Sequence, residues 1–542
     1  MSTHSVTNQA PPRVDVDEFT ANVPLVEAVE RHDAGWALPE LSAAGRLVGS
    51  GRFQADAERA NIHEPELHAF DRWGNRIDEV EYDPSYHRIL AEAVGAGAHT
   101  SAWANPRPGA NVARAAAFML FSQVEPGHAC PVSMTHAAVP ALAASAELSR
   151  SWLPRLLSRD YDPELRPGKS SALFGMAMTE KQGGSDVRAN TTRAVPAGDG
   201  RHLLTGHKWF CSAPMSDAFL VLAHTGAGLS CFLVPRVLDD GTRNPFAIQR
   251  LKDKLGNRSN ASGEIEFDGT VGCLLGEEGR GVRTILEMVN RTRLDCILGS
   301  AAGMRQAVAE AAWHTRHRAA FGATLIDQPA MAAVIADLAL ESEAATAVSL
   351  RLARAHDADA PDADRAFRRL ATAVSKYWIC KRGPGHAYEA MECLGGNGYT
   401  EAFPLARRYR EQPVMAIWEG SGNVIALDVL RAVQREPESL DAFDAELALA
   451  RGVHPVFDAH HDRMRAAAHA LSAAEQGDAA ASVRPFVAGL AMALQAALLL
   501  RHAPDPVGRA FVDARLGEDR GSLYGELPAA ARAAVPTVVG RA

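Results

Sequence analysis

Between about Ser171 and Gly281 the chain gives up helical periodicity. It reads there as short apolar runs with strand-like alternation and turn signals, among them Leu203-Leu204, Phe219-Leu220-Val221-Leu222, Cys231-Phe232-Leu233-Val234 and Glu264-Ile265-Glu266-Phe267. On either side the apolar positions recur at threes and fours. This pattern holds at Val26 and Val29, along Ala113 to Val124, at Ile285, Met288 and Val289, and along Met331 to Ala355 and Phe367 to Leu394. A helical, β, helical order requires an α+β, mainly α fold in which a β domain is inserted between helical ones.

The length of 542 residues calls for several cores. The pattern predicts a flexible tail over 1–20, an N-terminal helical domain over 21–170, a β domain over 171–281, a helical bundle over 282–436 and an additional helical C-terminal domain over 437–542. Asp71-Arg72-Trp73-Gly74-Asn75 reads as a turn, and the prolines and glycine of Asn105-Pro106-Arg107-Pro108-Gly109 break any helix there. The N-terminal 17 residues are polar and hold no apolar stretch of the signal-peptide kind. The longest apolar run, Phe486 to Leu500, contains Gln495 and is shorter than the roughly 18–20 residues that span a bilayer, so it is expected as a buried helix without a membrane partner. Seven scattered cysteines without a C-x-x-C pair suggest neither a disulfide framework nor a metal site, and fit a reducing cytoplasm. The formal charge of −9 argues against a chain built wholly to coat nucleic acid, while leaving room for a local basic groove.

Three stretches carry candidate chemistry. In Ile417-Trp418-Glu419-Gly420-Ser421-Gly422-Asn423 a carboxylate stands between an aromatic and a glycine-rich turn. Such a Glu can act as a general base, although a Glu before glycines is ordinarily a turn or cap acid. In Met178-Thr179-Glu180-Lys181-Gln182-Gly183-Gly184-Ser185-Asp186, Thr179 and Ser185 flank a Gly-Gly turn whose N–H groups and hydroxyls could bind a ring edge or pyrophosphate. The third is Leu394-Gly395-Gly396-Asn397-Gly398-Tyr399. Lys208-Trp209-Phe210-Cys211-Ser212 adds an aromatic strand that could pack on a flavin or belong to the core. Other signals favour structure: Gly168-Lys169-Ser170 lacks the upstream glycine of a phosphate loop, since Pro163 stands there, and His314 with His317 lacks a third metal ligand.

Met178 to Asp186 is similar to the flavin signature of the acyl-CoA dehydrogenase family, and Leu255-Gly256-Asn257-Arg258-Ser259 resembles its next β-domain signature. Arg318-Ala319-Ala320-Phe321-Gly322, Gly395 to Tyr399 and Trp418 to Ser421 follow in the family's order. Gly206 to Phe210, Leu251 to Ser262 and Ile417 to Asn423 resemble in particular the AidB branch, which is associated with the response to DNA alkylation.

The resemblance implies an FAD-dependent oxidoreductase acting on CH–CH groups. It places Met178, Thr179, Gly184 and Ser185 at the flavin, with Phe210, Cys211 and Ser212 beside it. Gly395, Gly396, Ile417, Trp418, Gly420, Ser421 and Asn423 would contact the cofactor from the helical side. Arg318 and Phe321 match positions that reach the FAD of a neighbouring subunit, which implies a homotetramer. Glu419 would be the catalytic base, its pKa raised by burial beside Trp418. Some relatives carry the base on an earlier helix, where this chain has Thr292. Phe210 stands where many relatives have Trp, and Glu392 where many have Gln.

The AidB resemblance also implies double-stranded DNA binding through the last section. From Asp441 onward, however, ten arginines face twelve acids, a balance of −2, so composition alone supplies no cationic surface. An ordinary short- or branched-chain acyl-CoA dehydrogenase without DNA binding is the alternative expectation.

Overall fold

The computed structural model describes residues 3–542. They gather into two compact units. The first holds the described residues up to Ser50, Arg107–Val124 and Cys296–Ala542; the second holds Gly51–Pro106 and Glu125–Asp295.

The second unit contains an antiparallel hairpin of β1 (Glu66–Phe70) and β2 (Arg76–Glu81), followed by β3 (Phe174–Ala177), β4 (Arg193–Gly198), β5 (Arg201–Ser212), β6 (Ala218–Thr225), β7 (Gly228–Pro235), β8 (Ala247–Leu251) and β9 (Ser262–Leu274). The last seven form one sheet in the order β3-β6-β4-β5-β9-β7, with β8 on β9 and a β6–β7 pairing. That pairing closes the strands into a barrel and leaves β3 and β8 as the flanking strands. β3 runs parallel to β6, while β5 and β9 form the long antiparallel spine.

The apolar runs read from the sequence lie in β5, β6, β7 and β9. β6 is buried from Ala218 to Ala223 and β7 from Leu229 to Val234, so these two strands are covered on both faces rather than alternating. Their outer cover includes the helix Ala129–Leu142: Met134, Ala137, Ala141 and Leu142 share a core with Phe174, Leu220, Leu222, Cys231 and Leu233. The β1–β2 hairpin lies within a stretch read as mostly helical, and the Asp71–Asn75 turn is its connection.

The first unit is helical. Its long helices are Pro329–Arg354, Asp362–Glu392 and the part of Gly281–His317 from Cys296 onward. Pro404–Met415, Gly422–Arg435, Pro437–Ala448, Pro455–Ala473, Gln476–His502 and Asp505–Leu516 follow. Proline opens the helices at 329, 404, 437 and 455, where its fixed φ suits the first turn and its missing N–H has no intrahelical partner to lose. Arg515 reaches Asp337 at 2.6 Å and Glu341 at 3.1 Å, and Arg382 reaches Glu341 at 3.0 Å. This buried network ties the last section of the chain to the bundle.

One expectation is corrected here, and a second, the buried apolar helix, holds over a longer span than Phe486 to Leu500. Residues 8–18 are docked rather than loose: Arg13 pairs with buried Glu18, the Trp313 indole donates to the Pro11 carbonyl at 2.7 Å, and Asn8 bonds both backbone groups of Ala319 at 2.8 Å. The apolar C-terminal helix begins ten residues before Phe486, and Gly477–His502 is long and apolar enough to cross a membrane by length and composition. In the fold, 72% of its most apolar window is buried inside the protein, so it serves as a core helix.

Candidate functional site

In the second unit, the chain leaves β3 at Met178 and folds a turn back on itself. The Trp209 N–H donates to the Thr179 carbonyl at 2.8 Å, and the Asn190 amide donates to the Met178 carbonyl at 2.9 Å. Gly183 has φ +135°, a conformation that side-chain-bearing residues rarely adopt. At Gly184 a Cβ would lie 2.3 Å from Thr179 Oγ1, so this glycine lets the turn close on the Thr179 hydroxyl. Gly184 and Ser185 are exposed at the turn's surface.

Glu180 holds the turn from beneath. Its buried carboxylate accepts from Lys208 Nζ at 2.8 Å, the Thr191 N–H at 2.6 Å and the Thr192 hydroxyl at 2.6 Å. Burial alone would raise this carboxyl, but the Lys208 ammonium and the threonine donors hold it well below the usual carboxylate range. The pair was not among the residues singled out from sequence. Its signal was present: period two along β5 puts Lys208 on the inward face with Leu204, and an inward lysine needs a buried acid.

β5 bulges after Lys208. Lys208 pairs with Ile265 and Cys211 with Gly263, so Trp209 and Phe210 together oppose Glu264. A bulge re-aims side chains, and Phe210 is left 52% exposed. Lys252 Nζ lies 3.2 Å from the Trp209 ring centroid and 4.7 Å from that of Phe210. Cys211 points the other way. It is fully buried and its thiol is pushed up to about 12 by burial, so its side chain does not share the exposed face of Phe210. Ser212 Oγ lies 3.2 Å from Ser262 Oγ.

In the first unit, Glu419 sits at φ +57° between the helices Pro404–Met415 and Gly422–Arg435, followed by Gly420 at φ +112°. Both carbonyls flanking Glu419, those of Trp418 and Gly420, accept from the buried Lys376 ammonium, the first at 2.9 Å. Trp418 packs on a cluster of Cys296, Cys380 and Met415. Its indole N–H is buried without a hydrogen-bond partner among the described residues. Ile417 and Ser421 are exposed, and Asn423 Oδ1 accepts from Arg484 at 3.3 Å. Gly395 and Gly396 open a short helical turn where an added Cβ would meet nothing within 4 Å. Gly398 is different, since a Cβ there would lie 2.1 Å from the Met391 carbonyl.

Arg318 and Phe321 belong to a small hairpin of β10 (Ala319–Ala320) and β11 (Ala323–Thr324). Phe321 and Gly322 form its two-residue turn, with φ +53° and +81°. This is the mirror-image turn that normally selects Asn-Gly. A fully exposed phenylalanine holds the first place instead, and Arg318 donates to the Asn8 carbonyl at 2.6 Å.

A flavin needs a flat apolar surface, bare backbone donors and hydroxyls, and these residues fit that demand. In the second unit Phe210 offers an exposed ring, and Gly183 and Gly184 an uncovered turn beside Thr179 and Ser185; in the first unit, taken by itself, the Trp418 indole donor has no partner among the described residues.

The comparisons agree with this chemistry. Residues 8–163 match the model of the adaptive response protein AidB N-terminal domain, 175–270 that of the acyl-CoA dehydrogenase middle domain, and 279–434 that of the acyl-CoA dehydrogenase C-terminal domain. The putative acyl-CoA dehydrogenase AidB of Escherichia coli K12 is 47% identical over 460 residues, 84% of this chain and 85% of that protein. The chain belongs to the acyl-CoA dehydrogenase family, in its AidB-like branch.

Acyl-CoA dehydrogenase family member 11 of Caenorhabditis elegans is 31% identical over 410 residues, 71% of this chain and 65% of that protein. The crystal structure of Caenorhabditis elegans ACDH-11 in complex with C11-CoA superimposes with a TM-score of 0.85 at 25% identity, covering 99% of this chain and 93% of that one. As a member of this family the protein is an FAD-dependent oxidoreductase acting on CH–CH groups. Its helical N-terminal, middle sheet and helical C-terminal parts are the family's fold.

Proposed function

We propose that Glu419 is the catalytic base of an acyl-CoA dehydrogenation. The observation that carries this reading is the fixed left-handed turn that presents Glu419, with a glycine behind it and Trp418 anchored in the core before it. The carboxylate takes the proton α to the thioester carbonyl, and the electron pair of that C–H bond becomes the new C=C bond as the β-hydrogen departs. FAD, when bound, supplies the acceptor for that β-hydrogen as hydride. Thr179, Gly184, Ser185, Phe210 and the Ser212 strand end hold the ring portion. Gly395, Gly396 and the Ile417–Asn423 turn hold the cofactor from the helical unit, with Met178 fixing the strand exit. Arg318 and Phe321 serve the cofactor of a neighbouring copy in a homotetramer; a fully exposed aromatic at a strained turn suits insertion into a partner. A small acyl-CoA is the substrate class, and a cytoplasmic location suits seven free cysteines.

The experiment is an absorbance spectrum of the purified yellow protein, followed by anaerobic titration with butyryl-CoA. The parent is expected to bleach. Glu419→Gln is expected to keep its flavin and lose bleaching by at least about 100-fold, the scale of a lost general base. Unchanged bleaching in that variant removes Glu419 from the role.

The AidB resemblance further supports a role in the response to DNA alkylation, with duplex DNA bound through the last section. Six of its ten arginines are engaged by carboxylates: Arg451, Arg465, Arg501, Arg509, Arg515 and Arg541. Arg463, Arg484, Arg520 and Arg532 are exposed and pair with no acid among the described residues. Arg463 and Arg520 both lie close enough to His460 to add to the downward pull that burial exerts on its pKa. With no carboxylate holding them, Arg463 and Arg520 are two of the candidates for phosphate contacts. The charge balance of −2 over this section favours the second reading, a dehydrogenase without DNA binding, and salt-dependent duplex binding separates the two.

A further inference from the structure

We propose that Lys376 is a positioning residue for Glu419, its ammonium gripping the two peptide carbonyls on either side of the base and thereby holding Glu419 in its left-handed conformation. The proposal rests on the reading of Glu419 as the base.

Lys376 lies in the middle of the helix Asp362–Glu392, is fully buried, and forms no ion pair with a carboxylate among the described residues. A buried ammonium without an acid is a costly choice where a methionine or leucine would pack. Its two hydrogen-bond partners are the Trp418 and Gly420 carbonyls, and the chain between those two oxygens consists of Glu419 and Gly420. Holding the peptide before Glu419 and the peptide after Gly420 on one ammonium restrains the dihedral angles of this two-residue, left-handed segment together. Glu419 needs that restraint, because φ +57° is a conformation that a side-chain-bearing residue leaves unless its surroundings hold it.

The rest of the turn is braced to match. Trp418 is seated on Cys296, Cys380 and Met415, and Cys380 Sγ, one helical turn beyond Lys376, meets the Cys296 carbonyl at 3.5 Å. Gly420 supplies the second left-handed residue at no steric cost. Lys376 thus converts a strained loop into a fixed mount, so that the carboxylate is aimed before substrate arrives. Tyr377, the next residue along the helix, is met by two further cations. Lys381 lies over Tyr377, and Arg484 donates to the Tyr377 hydroxyl at 3.0 Å, with neither paired to an acid among the described residues.

The test uses the FAD-loaded protein with Lys376→Met and Lys376→Arg. Anaerobic stopped-flow bleaching with butyryl-CoA is expected to slow about 10- to 100-fold in Lys376→Met, the scale of a misplaced base. The dissociation constant of butyryl-CoA should stay within about twofold of the parent's, since the loss is of aim rather than of binding. Lys376→Arg, whose planar fork can span two carbonyls, is expected to recover most of the rate. Crystal structures give the second readout: Glu419 should leave φ near +57° in Lys376→Met and keep it in Lys376→Arg. Parent-like bleaching, or an unchanged Glu419 turn in Lys376→Met, overturns the proposal. Should Lys376→Met not fold, Lys376→Gln is measured in the same two ways against the same outcomes. If Glu419→Gln bleaches like the parent, the base assignment has failed, and the crystal structures alone decide whether Lys376 sets the turn.

Discussion

Lys208 and Glu180 meet at 2.8 Å with neither side chain reached by solvent. One stands in β5 just before the Phe210 bulge, the other at the head of the Gly183–Gly184 turn. This single ion pair joins two of the stretches expected to face the flavin.

Removing one partner should therefore cost far more than removing both. Lys208→Met leaves a buried carboxylate with only neutral donors, at a cost of about 3–5 kcal/mol. The double variant Lys208→Met, Glu180→Leu should regain much of that stability, because it leaves no buried charge uncompensated. A double-mutant cycle in urea measures the difference, and additive costs would show that the two side chains act separately. The single variant should also retain less FAD through gel filtration, since the Thr179–Ser185 turn loses its anchor.

Glu125 offers a pH prediction within the same unit. Its buried carboxylate accepts from the His128 N–H at 2.8 Å, Ser259 Oγ at 2.6 Å and the Asn61 amide at 3.0 Å. Burial pushes this carboxyl up, yet the His128 and Ser259 donors outweigh it and bring it to about 2 from an ordinary 4.5. A folded-state value below the unfolded one means stability that is fully present above pH about 4.5 and is lost as the pH falls toward 2. The shift corresponds to roughly 3 kcal/mol. The stability gap between the parent and Glu125→Gln, measured by denaturant unfolding, should be largest near neutral pH and shrink steadily below pH about 4.5. A gap independent of pH would show that the carboxylate's charge is not what the cluster stabilises.

What could be read from the sequence follows the range of the interactions involved. The barrel strands were legible because Phe219–Leu222, Cys231–Val234 and Glu264–Phe267 are dense apolar runs bounded by turns, and the barrel buries them as runs. The β1–β2 hairpin was not, since its strands are mostly half-buried or exposed and its few apolar residues fit a helical period as well. The tail from Asn8 to Glu18 looked loose because its partners lie far along the chain, Ala319 being 311 residues from Asn8. Within the candidate site, Gly183, Gly184 and Glu419 announced themselves as turn residues. Lys376 did not, because a lysine on a long helix is ordinarily a solvated one, and only the folded chain brings it to a turn 42 residues later. Cys211 shows the converse: its motif was visible, but the bulge that separates its inward side chain from the exposed Phe210 depends on the pairing register with β9.

The last section's arginines allow a direct test of duplex DNA binding. Arg463 and Arg520 are exposed and free of carboxylate partners among the described residues. Arg509, by contrast, is held by Asp505 at 2.9 Å. If the first two contact phosphates, each contributes close to one unit to the slope of log affinity against log salt. The double variant Arg463→Gln, Arg520→Gln should then lower that slope by about 2 and weaken binding alike for unrelated duplex sequences. Arg509→Gln should change neither, which separates a local contact from the general effect of removing positive charge. Fluorescence anisotropy with a labelled duplex across a salt series provides the measurement. An unaltered slope in the double variant would remove these two arginines from the interface. A parent protein that shows no salt-dependent binding would favour a dehydrogenase that leaves DNA alone.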